Sequence, residues 1–425
     1  MSLELDIQFE RFTLDNGLRV IFSRDPTSPV VAVNLWYNVG SKNERPGRTG
    51  FAHLFEHMMF QGSANVPETA HFAYIEKAGG SLNGSTWLDR TNYYETVPSH
   101  YLELALWLES DRLGYLLPAM TQEKLDNQRD VVKNERRWRV DNQPYGDWDE
   151  RVQALLYPPE HPYHHSVIGS MEDLDAASLQ DVEQFFRTYY APNNAVLTLC
   201  GDFDPVSARE LIARYFGTLP RGPEIPPLPG RIEVPSKLGE ARREVIEQDI
   251  TLPRIYASYR IAPYGSDAFY PAIVAAHVLG DGKSALLYRE LVRSGLAQDV
   301  FAFPFPIVLG AAVMVTWTTA NPGTTAERLE KALRDATAKL EQVDAQDVER
   351  AIHLIEASRL MDLQQVEERA DALSMYETLF GDPGRINTEL NRIRQVTAGD
   401  VRGFADEYLG SDNRVVLVYV PKVGE

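Results

Sequence analysis

The chain has 425 residues, too many for one ordinary hydrophobic core, so two or more domains are expected. Hydrophobic residues make up 44% and charged residues 24%, the balance of a soluble globular protein, and no apolar run is long enough to span a bilayer as a helix. A net charge of −19 argues against nucleic-acid binding, which needs a basic face. It fits a solubilising surface or an acidic cavity that draws in basic peptides, and composition does not separate these.

The amino-terminal Met1-Ser2-Leu3-Glu4-Leu5-Asp6 has neither the basic region nor the apolar core of a signal peptide. A cytoplasmic location is expected, or a periplasmic one if a leader has been removed. Strands over 18–22 and 30–37 open the pattern, with Pro26 and Pro29 marking the turn between them. An apolar helix over 50–60 follows, then a helix over 68–77 that stops at Gly79-Gly80. Residues 81–85 and 91–97 read as strands joined through Leu88-Asp89-Arg90. Helices cover 101–113 and 122–140, and a helix over 181–190 leads into a strand over 195–200. The single cysteine, Cys200, excludes an intrachain disulfide and reads as core in that last strand.

Residues 221–240 carry Gly222, Pro223, Pro226, Pro227, Pro229, Gly230 and Pro235, a linker stiffened by proline. The plan then restarts, with strands near 242–249 and 252–261, helices near 267–279 and 284–292, and strands near 297–303 and 311–318. Long helices over 324–378 and a last strand over 414–419 complete it. Asp181, Val182, Phe185, Tyr189, Asn194 and Val196 recur as Asp400, Val401, Phe404, Tyr408, Asn413 and Val415, all at one constant offset. Each copy is a helix, a turn and a terminal strand. The expectation is a duplicated α+β fold: a half over 1–220 and a half over 241–425, each a mostly antiparallel sheet covered by helices.

The chemistry concentrates in His53-Leu54-Phe55-Glu56-His57. Two histidines four apart lie on one helix face, so both imidazoles reach one metal ion. Zinc takes imidazole nitrogens and carboxylate oxygens tetrahedrally, and a catalytic site leaves one position for water. Glu56 lies beside that face as a base for such a water, and His-x-x-Glu-His is the inverted zincin order. The helix is otherwise apolar, and a buried glutamate between two histidines is costly unless something pairs it. A third ligand is needed, and helix 122–140 offers Glu123, Asp126, Asp130 and Glu135.

Taken with Glu135 in Val131-Val132-Lys133-Asn134-Glu135-Arg136-Arg137, the motif resembles the pitrilysin/insulinase metallopeptidase family. The likeness is to its half-size branch, which includes mitochondrial processing peptidase and bacterial relatives. Asp15-Asn16-Gly17-Leu18, Gly79-Gly80-Ser81-Leu82-Asn83, Thr91-Asn92-Tyr93-Tyr94, His161-Pro162-Tyr163 and Gly169 carry the resemblance through most of the chain. It implies half of a clamshell, with one Zn2+ per chain held by His53, His57 and Glu135. Glu56 is then general base and proton shuttle in an endopeptidase that cleaves extended peptides in a closed chamber. The strand over 81–86 resembles the family's peptide-binding edge, which places Ser81, Asn83 and Gly84 against substrate.

Three positions depart from the family's pattern. Gln128 stands where a second glutamate often supports the ligands from the same helix face, so that support loses its charge. Leu286 replaces an arginine, and Gln298 a tyrosine, that in the family help to bind substrate and stabilise the oxyanion. Arg289, one helical turn beyond Leu286, and Tyr288 are the nearest substitutes. The departures imply a heterodimer in which a homologous partner without the zinc motif supplies the arginine and tyrosine; a homodimer is the alternative. The competing function is a non-catalytic assembly or scaffold subunit that keeps a zinc site. His161, His164 and His165 read as a loop beside the cavity, His277 as core or partly exposed, and His71, His100 and His353 carry no signal.

Overall fold

The computed structural model describes residues 4–422, so Met1-Ser2-Leu3 of the amino-terminal reading lies outside it. Eleven strands form two sheets: β1 (Glu10–Thr13), β2 (Arg19–Arg24), β3 (Val30–Tyr37), β4 (Ser81–Thr86), β5 (Thr91–Pro98) and β6 (Ala195–Gly201) in one, and β7 (Glu240–Gln248), β8 (Arg254–Ile261), β9 (Ala297–Phe305), β10 (Ala312–Ala320) and β11 (Asn413–Pro421) in the other. The helices are α1 (Phe51–Met58), α2 (Ala70–Lys77), α3 (Leu102–Tyr115), α4 (Gln122–Arg136), α5 (Trp148–Leu156), α6 (Met171–Asp175), α7 (Leu179–Tyr189), α8 (Pro205–Phe216), α9 (Tyr270–Gly280), α10 (Ala326–Thr337), α11 (Ala345–Gln364), α12 (Val366–Phe380), α13 (Arg385–Arg394) and α14 (Ala398–Tyr408).

The first sheet has the order β1-β2-β6-β3-β5-β4, antiparallel except between β2 and β6. Its central strand β3 is buried on both faces because alternate residues meet different layers. Val31, Val33, Leu35 and Tyr37 join a core with Phe51, Leu54, Phe55 and Met58 of α1, Leu106 of α3 and Phe216 of α8. The opposite face meets α12 through polar contacts. Asp371 accepts hydrogen bonds from Trp36 Nε1 at 2.7 Å and Asn92 Nδ2 at 3.0 Å, and Ser374 Oγ donates to Thr198 Oγ1 at 2.8 Å. Strand β4 lies at the sheet edge, as the resemblance implied. Its sequence, Ser-Leu-Asn-Gly-Ser-Thr, is poor in the bulky residues that central strands use.

The second sheet has the order β7-β11-β8-β10-β9 and is again antiparallel except at one pair, β7 with β11. The recurring residues do the same work in both copies. Ser178 with Asp181, and Thr397 with Asp400, form capping boxes at the starts of α7 and α14. Asn194 Nδ2 donates to Tyr189 O at 2.8 Å and Asn413 Nδ2 to Tyr408 O at 2.7 Å, so each asparagine ties its helix end to the terminal strand.

Packing units differ from the contiguous halves expected at 1–220 and 241–425. One unit comprises the chain up to Arg136, His165–Pro229 and Leu360–Thr388; the other comprises Arg137–His164, Gly230–Arg359 and the chain from Glu389 onward. α5 therefore packs with the second sheet, where Trp148 stacks on Tyr256 at 5.0 Å, and α12 covers the first. Two expected helices are also altered. The helix over 122–140 is α-helical only to Arg136 and then widens into a π-type turn over Arg137–Asp141. The helix over 284–292 is largely a π-type turn over Tyr288–Val292. Among the described residues no helix is long and apolar enough to cross a membrane.

Candidate metal centre

α1 is short, apolar and buried, and it turns His53 and His57 to one side. Their rings lie 4.8 Å apart, centroid to centroid. α4 brings Glu135 opposite them, with its Oε2 3.8 Å from His53 Nε2 and 3.3 Å from His57 Nε2. One ligand atom from each of the three residues lies within 4.8 Å of the others. Tetrahedral zinc with bonds of about 2.0–2.1 Å separates neighbouring ligand atoms by about 3.3 Å. The donor set and its spacing therefore fit zinc. All three residues are half-buried.

Glu56 points to the sheet edge, where Thr86 Oγ1 of β4 donates to its Oε2 at 2.6 Å. Burial pushes the Glu56 carboxyl above the usual carboxylate range; the Thr86 hydrogen bond and the nearby His57 and Arg90 oppose the rise, and Glu135 adds to it. A cation held by the triad adds a further downward pull. Arg90 Nη1 donates to Ser85 O at 2.8 Å and Asn92 Oδ1 at 3.1 Å, bracing the end of the edge strand. Ser81 and Asn83 are exposed on β4, and Asn83 Oδ1 accepts from Gly84 N at 2.9 Å. Gly84 is buried, and a Cβ there would lie 3.0 Å from Tyr93 Cδ1 and 3.2 Å from Phe60 Cε2, so the strand sits low against the core at this point.

Gln128 is buried on α4, two turns before Glu135. The second unit presents no arginine or tyrosine at the two departing positions. Leu286 is buried among apolar neighbours in sequence, and Gln298 is exposed on β9. Arg289 is exposed and keeps the helical-turn relation to Leu286, its N–H bonded to Ala285 O at 3.0 Å.

A second cluster, unsignalled by the sequence, lies in the same unit. His71 of α2, Glu95 of β5 and Glu109 of α3 also bring ligand-type atoms within 4.8 Å of one another, and all three are buried. Arg112, itself buried, is paired to Glu109 and stacks over the Tyr93 ring at 4.1 Å. Burial pushes the Glu95 carboxyl well above the usual range, reinforced by Glu109, and pushes His71 well below its own, reinforced by Arg112. Of the expected loop histidines, His165 lies near the start of α1, 3.5 Å from Glu44, while His161 and His164 belong to the second unit. His161 stacks on Tyr157 at 4.6 Å, and burial lowers it to about 4.

Residues 19–157 match the family described as "Insulinase (Peptidase family M16)", and residues 176–355 match "Peptidase M16 inactive domain". The zinc protease PqqE of Helicobacter pylori is 29% identical over 372 residues, covering 87% of this chain and 80% of that protein. The mitochondrial-processing peptidase subunit beta of Lentinula edodes is 24% identical over 411 residues, covering 93% and 86%. A solved protease from Helicobacter pylori superposes with a TM-score of 0.91 at 27% identity, covering 97% of this chain and 100% of that one. The motif helix, the duplicated sheets and these matches along nearly the whole length place the chain in the pitrilysin/insulinase family of peptidases, in its half-size branch.

Proposed function

We propose that the chain is a zinc-dependent endopeptidase that hydrolyses extended peptides and acts as the zinc-bearing subunit of a dimer. The observation that carries this reading is the His53–His57–Glu135 triad beside Glu56, with Glu56 hydrogen-bonded to the open edge strand. Zinc bound to the triad supplies Lewis acidity toward a peptide carbonyl and makes water a stronger acid. The unpaired edge of β4 aligns the peptide backbone irrespective of sequence, with Ser81, Asn83 and Gly84 along the contact. Glu56 accepts the proton of the attacking water and hands it to the leaving amine, and Thr86 fixes the carboxylate that makes both transfers. Glu56→Gln retains zinc and loses about 10²–10⁴-fold in peptide hydrolysis, measured by metal content and turnover of a quenched fluorescent peptide. Retained cleavage at the parent rate overturns the mechanism.

The dimer reading is supported by Leu286 and Gln298 and by the similar protein that is named a subunit. A homologous partner bearing arginine and tyrosine at those positions then raises turnover about 10²-fold or more, the value of one oxyanion donor. Full activity of the isolated chain, unchanged by the partner, leaves only the homodimer or the lone chain.

A further inference from the structure

Both ligand-bearing helices are tied to one short segment that the proposed mechanism does not use. At the start of α1, Asp173 Oδ2 accepts from Thr49 N at 2.9 Å and Thr49 Oγ1 at 2.6 Å, and Ser170 N donates to Thr49 Oγ1 at 3.1 Å. Gly50, the residue that opens the helix, packs against Ile168 and Gly169 so tightly that a Cβ on Gly169 would collide with the Gly50 backbone. Both glycines have positive φ, +84° at Gly50 and +71° at Gly169, which other residues rarely adopt. From the other side, α4 reaches the same segment. Arg136, next to Glu135, donates through Nη1 to Gly169 O at 2.7 Å; Lys133 Nζ meets Asp175 Oδ1 at 2.6 Å, and Arg129 Nη1 meets Asp175 O at 3.2 Å.

A second anchor holds α1 from behind. The fully buried Glu44 carboxylate accepts from Gly50 N at 2.9 Å and Ala52 N at 2.7 Å, replacing the side-chain cap that Gly50 lacks. Those N–H groups are unpaired donors of the helix start, so the Glu44 oxygens satisfy them and fix the first turn in place. His165 Nδ1 lies 3.5 Å from the same carboxylate. With α1 only eight residues long, its pose is set largely at this end.

We infer that the segment 168–175 is a clasp that fixes the spacing and rotation of α1 relative to α4, and that Asp173, Gly169 and Glu44 are positioning residues for the metal triad. Three hydrogen bonds from α4 and three at Thr49, just before α1, converge on eight residues, and the ligands His53 and Glu135 each lie about one turn from a tied position. The inference rests on the zinc reading above.

The test uses the full chain loaded with zinc or with cobalt as a spectroscopic substitute. Asp173→Asn and Glu44→Gln keep side-chain shape and weaken the acceptors. The zinc dissociation constant, from competition with a chelator, rises about tenfold to a hundredfold, as it does when outer ligand supports are lost. The visible spectrum of the cobalt-saturated protein shifts in band position or intensity, which lower stability alone does not cause once the site is full. Should Glu44→Gln fail to fold, Asp173→Asn, at a half-buried position, decides. A folded Asp173→Asn chain with the parent's cobalt spectrum and a zinc affinity within twofold overturns the clasp. A parent chain that binds no zinc overturns the zinc reading instead, and the two failures are told apart by that control.

Discussion

Two clusters of histidine and glutamate stand in one unit, and they differ in what balances their charge. The triad His53, His57 and Glu135 is half-buried, with the Glu135 carboxylate facing both imidazoles. The cluster His71, Glu95 and Glu109 is fully buried and already contains its cation, the Arg112 guanidinium. Adding a divalent ion there would leave a net positive charge inside the core, whereas one proton on Glu95 leaves a neutral acid beside a Glu109–Arg112 pair. That proton also serves Glu95 Oε1 and Glu109 Oε2, which accept no other hydrogen bond. The same residue types therefore stand half-buried at ligand spacing in one place and fully buried around an arginine in the other. What sets the buried cluster apart is the Arg112 guanidinium built in one helical turn from Glu109.

The comparison breaks most sharply at the triad. Glu135→Gln removes the anionic ligand, and zinc affinity falls more than the hundredfold typical of outer supports; proteolysis falls with it, both read by chelator competition and peptide turnover. Next in size is Arg112→Met, which strands a buried carboxylate and lowers unfolding free energy by about 3–5 kcal/mol in denaturant melts. It leaves zinc affinity at the triad unchanged, and a parallel loss of zinc would merge the two clusters into one site. The smallest effect sharpens the proton assignment. Because the folded Glu95 carboxyl sits above its ordinary value of 4.5, its contribution is fully present below that pH and fades as pH rises toward the folded value. Glu95→Gln mimics the neutral acid and flattens that part of the stability–pH curve, so the variant matches or exceeds the parent in thermal melts at neutral pH. A large loss of stability in Glu95→Gln counts against a proton in this position.

The motif on α1 was legible because it is local. Helical spacing puts His53 and His57 on one face whatever surrounds them, and the apolar residues between them mark the helix as buried. Glu135 emerged only through resemblance, since four acids on α4 offered themselves. Thr86 went unread because its partner Glu56 lies 30 residues back on α1, beyond the whole of α2, and no periodicity links them. His71 gave no signal for the same reason: its partner Glu109 comes from another helix. Glu109 and Arg112, by contrast, share a helix one turn apart in an apolar stretch, a pattern that reads as an ion pair once the helix is known to be buried. The exchange of segments between units was beyond the sequence, because an amphipathic face states that it needs cover and not which layer provides it.

That exchange bears on the order in which the molecule can be completed. Trp36, Asn92 and Thr198 on the first sheet find their partners on α12, which is made after most of the second half has left the ribosome. A chain cut at the Pro/Gly-rich stretch would carry the whole metal triad and yet leave one face of its central strands without its polar counterparts. The first unit therefore stays incomplete until Leu360–Thr388 has been made, after most of the second unit.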